Sequence, residues 1–292
     1  LGDGDISIKL LENHWVNIRS GRSNTKMVGM ARANFPGLPV FPATGNVKIP
    51  AHTLRNMIGR TIFAISNEES RYTLNGGLMV LKPESITMVA TDGHRLAHVE
   101  KTGEQFDVSS ENKTLIPKKA MSELFSLLQN TDVDYLEFAK DESTLFFRIG
   151  ERLLTSRQLT GQFPNYEAVL PRDTSKSVVV QGADLSTAIQ RVAQFADERS
   201  RAIRLKLDKN ELKISSSSTE AGESEDSIET AYAADPLTIG FNSEYLIDFL
   251  KAQGAGEVRL EFKDAQSAGQ MRPEEGSDDG FKYRYVVMPM RI

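Results

Sequence analysis

Three side chains capable of acid–base chemistry crowd into "ATDGHRLA", residues 90–97: Asp92, His94 and Arg95. A carboxylate, an imidazole and a guanidinium this close could hold a general base, orient it and stabilise developing charge. Asp92-Gly93 is also what a tight turn selects. Asp bonds to nearby backbone, and Gly accepts a left-handed φ. No serine or cysteine stands beside His94, so a nucleophile would have to come from a distant part of the chain. Two readings follow: an enzyme using Asp92, His94 and Arg95, or a hairpin tip whose side chains orient and hydrogen-bond. The spacing favours the tip, and no catalytic residue is assigned.

Metal chemistry fares worse. Of His14, His52, His94 and His98, only the last two are close in sequence. On a helix that spacing would suit zinc. But "ESITMVATDGHRLAHVEK" alternates like a hairpin with Asp92-Gly93 at its turn. Along a strand the two rings would stand roughly 13 Å apart. No metal and no cofactor is expected. "LNGG" at 74–77 lacks the phosphate-loop pattern. The acidic stretch "TEAGESEDSIE", 219–229, includes Glu220, Glu223, Glu225, Asp226 and Glu229. It does not match a calcium loop and reads as a solvated loop running into a strand.

The chain closes on "YRYVVMPMRI", with Val286, Val287, Met288, Pro289, Met290 and Ile292 at its end. Chain ends are normally polar. This one must pack on its own domain or line a groove, and methionine suits a groove that accepts several partners.

The elements that position these residues recur. "VKIPAHTLRNMIGRTIFAI" from Val47, "TLIPKKAMSELFSLLQ" from Thr114, "VVVQGADLSTAIQRVAQFA" from Val178 and "LTIGFNSEYLIDFLKA" from Leu237 each pass from a β-rich run into a helical pattern. The spacing of Met121, Leu124, Phe125 and Leu128 is helical. Pro50 and Pro117 suit an entry turn or the first helical turn, and Asp184 and Ser243 are candidate N-caps. Alternating runs such as "STLFFRI" and "EVRLEF" follow. A longer period pairs "ARANFPGLPVFP" near Phe35 with "LTGQFPNYEAVLP" near Phe163. Two units then make a domain of roughly 125 residues, an ordinary domain size. A generic two-domain α+β protein is the plainer alternative.

The chain has 292 residues, 39% hydrophobic and 26% charged, with no cysteine and a formal net charge of −5. That is ordinary globular composition, long enough for sizeable cores. No apolar run approaches the roughly 18 residues of a membrane helix. "LGDGDISIKL" lacks the plan of a signal peptide. A reducing, cytoplasmic setting fits the missing cysteines. The acidic balance argues against general affinity for nucleic acid, leaving room for a local basic face.

"ATDGHRLA", "RYTLNGG", "GQFPNYEAVLP", "IGFNSEYLID" and "YVVMPMRI" together resemble the bacterial DNA polymerase III β subunits, the replicative sliding clamps. The likeness runs in order along essentially the whole chain. It implies an α+β fold of repeated clamp domains, each of two β-α-β-β-β units, closing head to tail into a homodimeric ring around duplex DNA. By that scheme 1–44 is the C-terminal remnant of a first domain, 45–173 the second domain and 174–292 the third.

The resemblance also implies a docking pocket for a short peptide. It would be lined by Leu74, Thr91, Gly93, His94, Arg95, Leu96, Pro164, Val169, Asn242, Tyr245, Val286, Val287, Met288, Pro289, Met290 and Arg291. Such a peptide would be carried by the polymerase III catalytic subunit, the clamp loader, and other polymerases and repair proteins. Ala168 and Ser200 stand where the family often has a basic and an aromatic residue, which bears on peptide preference.

Arg71, Tyr72 and Lys118 are implied to lie near DNA. Arg55 and Arg60, on a helix with no acidic residue between 51 and 65, fit the same basic face. For the ring joint, Arg22, Lys26, Met27 and Val28 would meet Glu225, Ile228 and Thr230 of a second copy, with opposite charges at opposite ends. The expected protein is therefore a non-enzymatic processivity factor with no membrane partner. A monomeric clamp-like peptide adaptor is the rival.

Overall fold

A computed structural model describes residues 4–274 and 280–291 and divides into two units, Leu1–Val40 and Phe41–Ile292. Ile292 lies outside the described residues. The first unit is an antiparallel sheet of β1 (Ile6–Leu10), β2 (Trp15–Ser20) and β3 (Ser23–Val28), in that order. Gly21, at φ 54°, makes the β2–β3 turn.

The second unit repeats one pattern four times. It runs β4 (Val47–Pro50), α1 (Ala51–Thr61), β5 (Gly76–Lys82), β6 (Ser85–Thr91), β7 (Arg95–Thr102). Then come β8 (Asn112–Pro117), α2 (Lys118–Gln129), β9 (Tyr135–Lys140), β10 (Thr144–Ile149) and β11 (Arg152–Arg157). The third pass is β12 (Lys176–Gln181), α3 (Gly182–Ala193), β13 (Ala202–Asp208), β14 (Glu211–Ser218), β15 (Gly222–Glu229). The last is β16 (Leu237–Asn242), α4 (Ser243–Gln253), β17 (Glu257–Phe262), β18 (Gly269–Pro273), β19 (Phe281–Val287). The clamp-type α+β architecture of β-α-β-β-β units is present.

Each unit lends its first strand to its neighbour. One four-stranded sheet runs β11-β10-β9-β4 and another β15-β14-β13-β16. Between them lies an eight-stranded sheet, β12-β17-β18-β19-β7-β6-β5-β8. Its centre is an antiparallel seam in which Leu96 faces Val286, His98 faces Arg284 and Lys101 faces Phe281. That seam joins strands nearly two hundred residues apart, and the sequence pattern gave no hint of it.

The helices form where apolar residues repeat every three or four positions. α1 buries Leu54, Met57 and Ile58, and α2 buries Met121, Leu124 and Leu128. Each such side chain contributes roughly 1.5–3 kcal/mol by leaving water. α1 packs against α2, α3 against α4, and α1 also reaches α4. Pro50 and Pro117 sit at the N-caps with φ near −57° and −58°, values their rings impose.

Two cap assignments are corrected. Asp184 lies inside the first turn of α3, whose cap is Gln181. The cap of α4 is Asn242, whose side chain accepts a hydrogen bond from the Glu244 amide, and Ser243 is the first helical residue. The acidic stretch is more ordered than a loop, since Gly222–Glu229 is strand β15.

Candidate functional site

Thr91 ends β6 and Arg95 begins β7, so 92–94 is the hairpin tip the sequence suggested. Gly93 adopts φ 90°. Asp92 Oδ1 accepts from the His94 and Arg95 amides at 2.9 and 3.0 Å. Thr91 Oγ1 donates to the Arg95 carbonyl at 2.6 Å and accepts from the Gly93 amide. These bonds hold the Asp92 carboxylate and the Thr91 hydroxyl on the backbone of the turn. His94 is exposed, and no cluster of three or more metal-ligating side chains occurs among the described residues.

Arg95 does something the sequence did not foretell. Its Nε donates to Asp92 Oδ2 at 3.0 Å, Nη1 to Asp248 Oδ2 at 2.7 Å and Nη2 to the Phe63 carbonyl at 2.8 Å. The guanidinium lies 4.3 Å from the Tyr245 ring centroid, within cation–π range. Its side chain is 11% exposed. Arg95 therefore ties hairpin, α1 end and α4 together and offers little surface to a ligand. Beneath it, Tyr285 donates to the Tyr245 carbonyl at 2.9 Å and stacks on Phe249. Burial raises the Tyr285 pKa, so the phenol stays a donor.

The chain end closes the other wall. The Met288 amide donates to the His94 carbonyl at 2.9 Å and the Met290 amide to Gly240 at 2.8 Å. Leu96 of β7 and Val286 of β19 are buried in one apolar cluster, while Val287, the next residue of the strand, turns to the opposite face and joins the larger core. Met288, at 45% exposure, and Val169, at 43%, are exposed apolar side chains. Leu74, Leu96, Phe163 and Val286 belong to one apolar cluster, with Leu74 half-buried. Pro164 follows Phe163 in the crossing segment 158–172 and is exposed. Asn242 and Tyr245 enter from the start of α4, and Pro289 and Arg291 lie along the chain end. Leu74, Leu96, Phe163 and Val286 thus form an apolar cluster on the sheet whose β6–β7 hairpin carries the polar tip.

A cavity of about 650 Å³ lies along the same crossing segment, walled by Leu78, Leu115, Leu159, Phe163 and Tyr166. Tyr166 also covers His98, the rings 5.7 Å apart. Burial lowers the His98 pKa, Glu100 opposes that shift and Arg284 adds to it.

The basic residues separate. Arg71 Nε pairs with Glu68 at 2.8 Å, and its Nη1 donates to the Asp92 carbonyl at 2.8 Å. Lys118 donates to Asn67 at 2.7 Å, and burial, then the Arg95 charge, lowers its pKa. Tyr72 is 73% exposed. Arg55 is exposed on α1. The Arg60 guanidinium lies 5.0 and 5.6 Å from the Phe281 and Tyr283 rings of β19.

The expected joint residues fall on comparable strands. Lys26, Met27 and Val28 are exposed on β3, with Arg22 in its turn. Glu225 and Ile228 lie on β15, which has a partner strand on one side only, and Thr230 follows it. Glu225 pairs with Lys213 of its own chain. The sequence reading missed Asp248, although it lies three residues from Tyr245 on one helix face.

Comparison with known proteins is consistent over the whole length. The family description "DNA polymerase III beta subunit, central domain" matches residues 48–165, and its "C-terminal domain" matches 167–291. The beta sliding clamp of Pseudomonas aeruginosa is 33% identical over 289 residues, covering 99% of this chain and 77% of the relative. The crystal structure of the P. aeruginosa DNA polymerase III subunit beta superposes with a TM-score of 0.87 at 34% identity, covering 98% of this chain and 77% of that one. A P. aeruginosa sliding clamp bound to griselimycin gives 0.86 at 33% identity, covering 98% and 76%.

Proposed function

The chain belongs to the DNA polymerase III beta subunit family, and from that premise we propose how its residues serve a clamp. It is a non-catalytic processivity factor: a sliding clamp that encircles duplex DNA and tethers polymerase III and other partners through a peptide site. Topology holds such a ring on DNA, so an acidic protein needs only loose phosphate contacts, which permit sliding.

The observation that carries this reading is the β7–β19 seam. It joins the third strand of one unit to the third strand of another. β3 and β15 are likewise last in their strand triplets. We assign the joint between chains to β3 and β15 of a second copy, through Arg22, Lys26, Met27 and Val28 against Glu225, Ile228 and Thr230. The basic and acidic strands are complementary, and a head-to-tail contact closes a ring when its rotation allows. The division into 45–173 and 174–292 is proposed on the same ground.

The peptide site is assigned to the groove over Leu96 and Val286, with Met288, Val169, Leu74, Pro164 and Tyr245 as walls, and Val287 anchors the strand from the core face. Thr91, Gly93 and His94 supply polar orientation, and Arg95 and Asn242 hold the frame. Pro289, Met290 and Arg291 extend the wall. DNA is assigned to Arg55, Arg71, Tyr72 and Lys118. No helix among the described residues is long and apolar enough to cross a membrane. The working compartment is proposed to be the cytoplasm, where replication partners meet.

The test is retention on circular DNA carrying a nick, after clamp loading. A ring is retained and then lost on linearisation. Equal retention on both forms would leave only the adaptor reading.

A further inference from the structure

Arg71 joins the 67–71 loop to the β6–β7 hairpin. Its Nη1 donates to the Asp92 carbonyl at the back of the hairpin whose front faces the peptide groove. Contact there is close: a Cβ added to Gly93 would lie 2.9 Å from that Nη1. Its Nε pairs with Glu68, a surface carboxylate 59% exposed. Its remaining nitrogen, Nη2, makes no hydrogen bond among the described residues, and the side chain is 39% exposed. Lys118 is held beside the same 67–71 loop through Asn67.

We propose that a DNA phosphodiester seated on Arg71 and Lys118 strengthens peptide binding at the groove, through the Arg71–Asp92 bond. The proposal rests on the DNA and peptide assignments made above. An exposed pair with Glu68 holds the guanidinium weakly. A phosphate can take Nη2 and displace Glu68 while Nη1 keeps the Asp92 carbonyl, because guanidinium donors fan out in one plane. Fixing the guanidinium fixes the turn. Asp92 in turn holds the His94 and Arg95 amides, and the His94 carbonyl holds Met288, the exposed wall of the groove. A better-ordered wall loses less freedom on binding. The linkage is reciprocal: bound peptide tightens DNA contact by the same factor.

Griselimycin serves as the groove probe, since it is bound to related clamps. Its affinity is measured for the full chain, free and saturated with a short linear duplex at low ionic strength. Affinity rises about fivefold with DNA, the low end of usual couplings. Arg71→Lys keeps a cation for phosphate but lacks the planar fork, so its affinity for griselimycin is the same with and without DNA. Hydrogen exchange of the His94 and Arg95 amides slows on adding duplex in the parent chain and not in Arg71→Lys. An unchanged or weaker affinity with DNA in the parent, or full coupling in Arg71→Lys, overturns the proposal. If griselimycin does not bind at all, the groove assignment falls. If the duplex does not bind, the DNA assignment falls. Either result removes the premise and the proposal together.

Discussion

Arg95 Nη1 lies 2.7 Å from Asp248 Oδ2, although 153 residues separate them in the chain. Asp92 and the Phe63 carbonyl share the same guanidinium. Arg95→Met should therefore destabilise the protein by about 2–4 kcal/mol, somewhat below a fully buried pair because Asp248 is partly exposed. Arg95→Lys should recover little, since an ammonium cannot span three acceptors. Denaturant titration measures both. A loss under about 0.5 kcal/mol, the range of ordinary surface substitutions, would remove Arg95 from its structural role.

Met288 contributes mainly surface. Met288→Ala should weaken griselimycin binding roughly tenfold, as for an anchoring side chain, with the melting temperature little changed. Fluorescence titration beside a thermal scan separates the two. Unchanged binding would move the ligand away from the chain end.

His98 is buried, 9% exposed, and its Nδ1 has no hydrogen-bond partner among the described residues. Its folded pKa is lowered below the ordinary 6.5, chiefly by burial. The unfolded chain then binds the proton more readily. Stability should fall as the pH drops below about 6.5, the unfolded value, and level once the folded ring also protonates. His98→Phe, which keeps a ring against Tyr166, should flatten that part of the profile. An identical slope in the variant would assign the pH dependence elsewhere.

Gly93→Ala places a Cβ at φ 90° and 2.9 Å from Arg71 Nη1. Backbone strain of this kind costs on the order of 1–3 kcal/mol. Calorimetry should find a lower melting temperature, and the Arg71–Asp92 contact should lengthen in a crystal structure of the variant. A variant as stable as the parent would show that the turn accommodates a side chain.

Lys26→Glu and Glu225→Lys should each shift the protein toward monomer at micromolar concentration, and the double swap should restore dimer. Sedimentation equilibrium reads the mass. Dimer in both single variants would place the joint on other strands.

The repeats were legible because they rest on local chemistry. Proline at 50 and 117 marks helix starts, apolar spacing at 121, 124 and 128 gives a helix face, and Asp92-Gly93 gives a turn. The seam was not legible, because Tyr283 facing Val99 is a pairing of distant strands that no local pattern encodes. The intramolecular partners of Arg95 and Arg60 were not legible for a related reason. The residue type suggests ligand binding, while the partners, Asp248 and the rings of Phe281 and Tyr283, come from elsewhere in the chain. Asp184 was misjudged by three positions because Gly182 already begins the helix.

The unbroken run of backbone pairs from Arg95–Val287 to Lys101–Phe281 has a mechanical side. A row of parallel crosslinks loaded along its length shares the force, so no single bond yields first. The crease between the two halves of this unit is thus built of the same fabric as the plates beside it. Bending one half against the other must therefore distort sheet hydrogen bonds and not merely a linker, so the crease resists as a spring would.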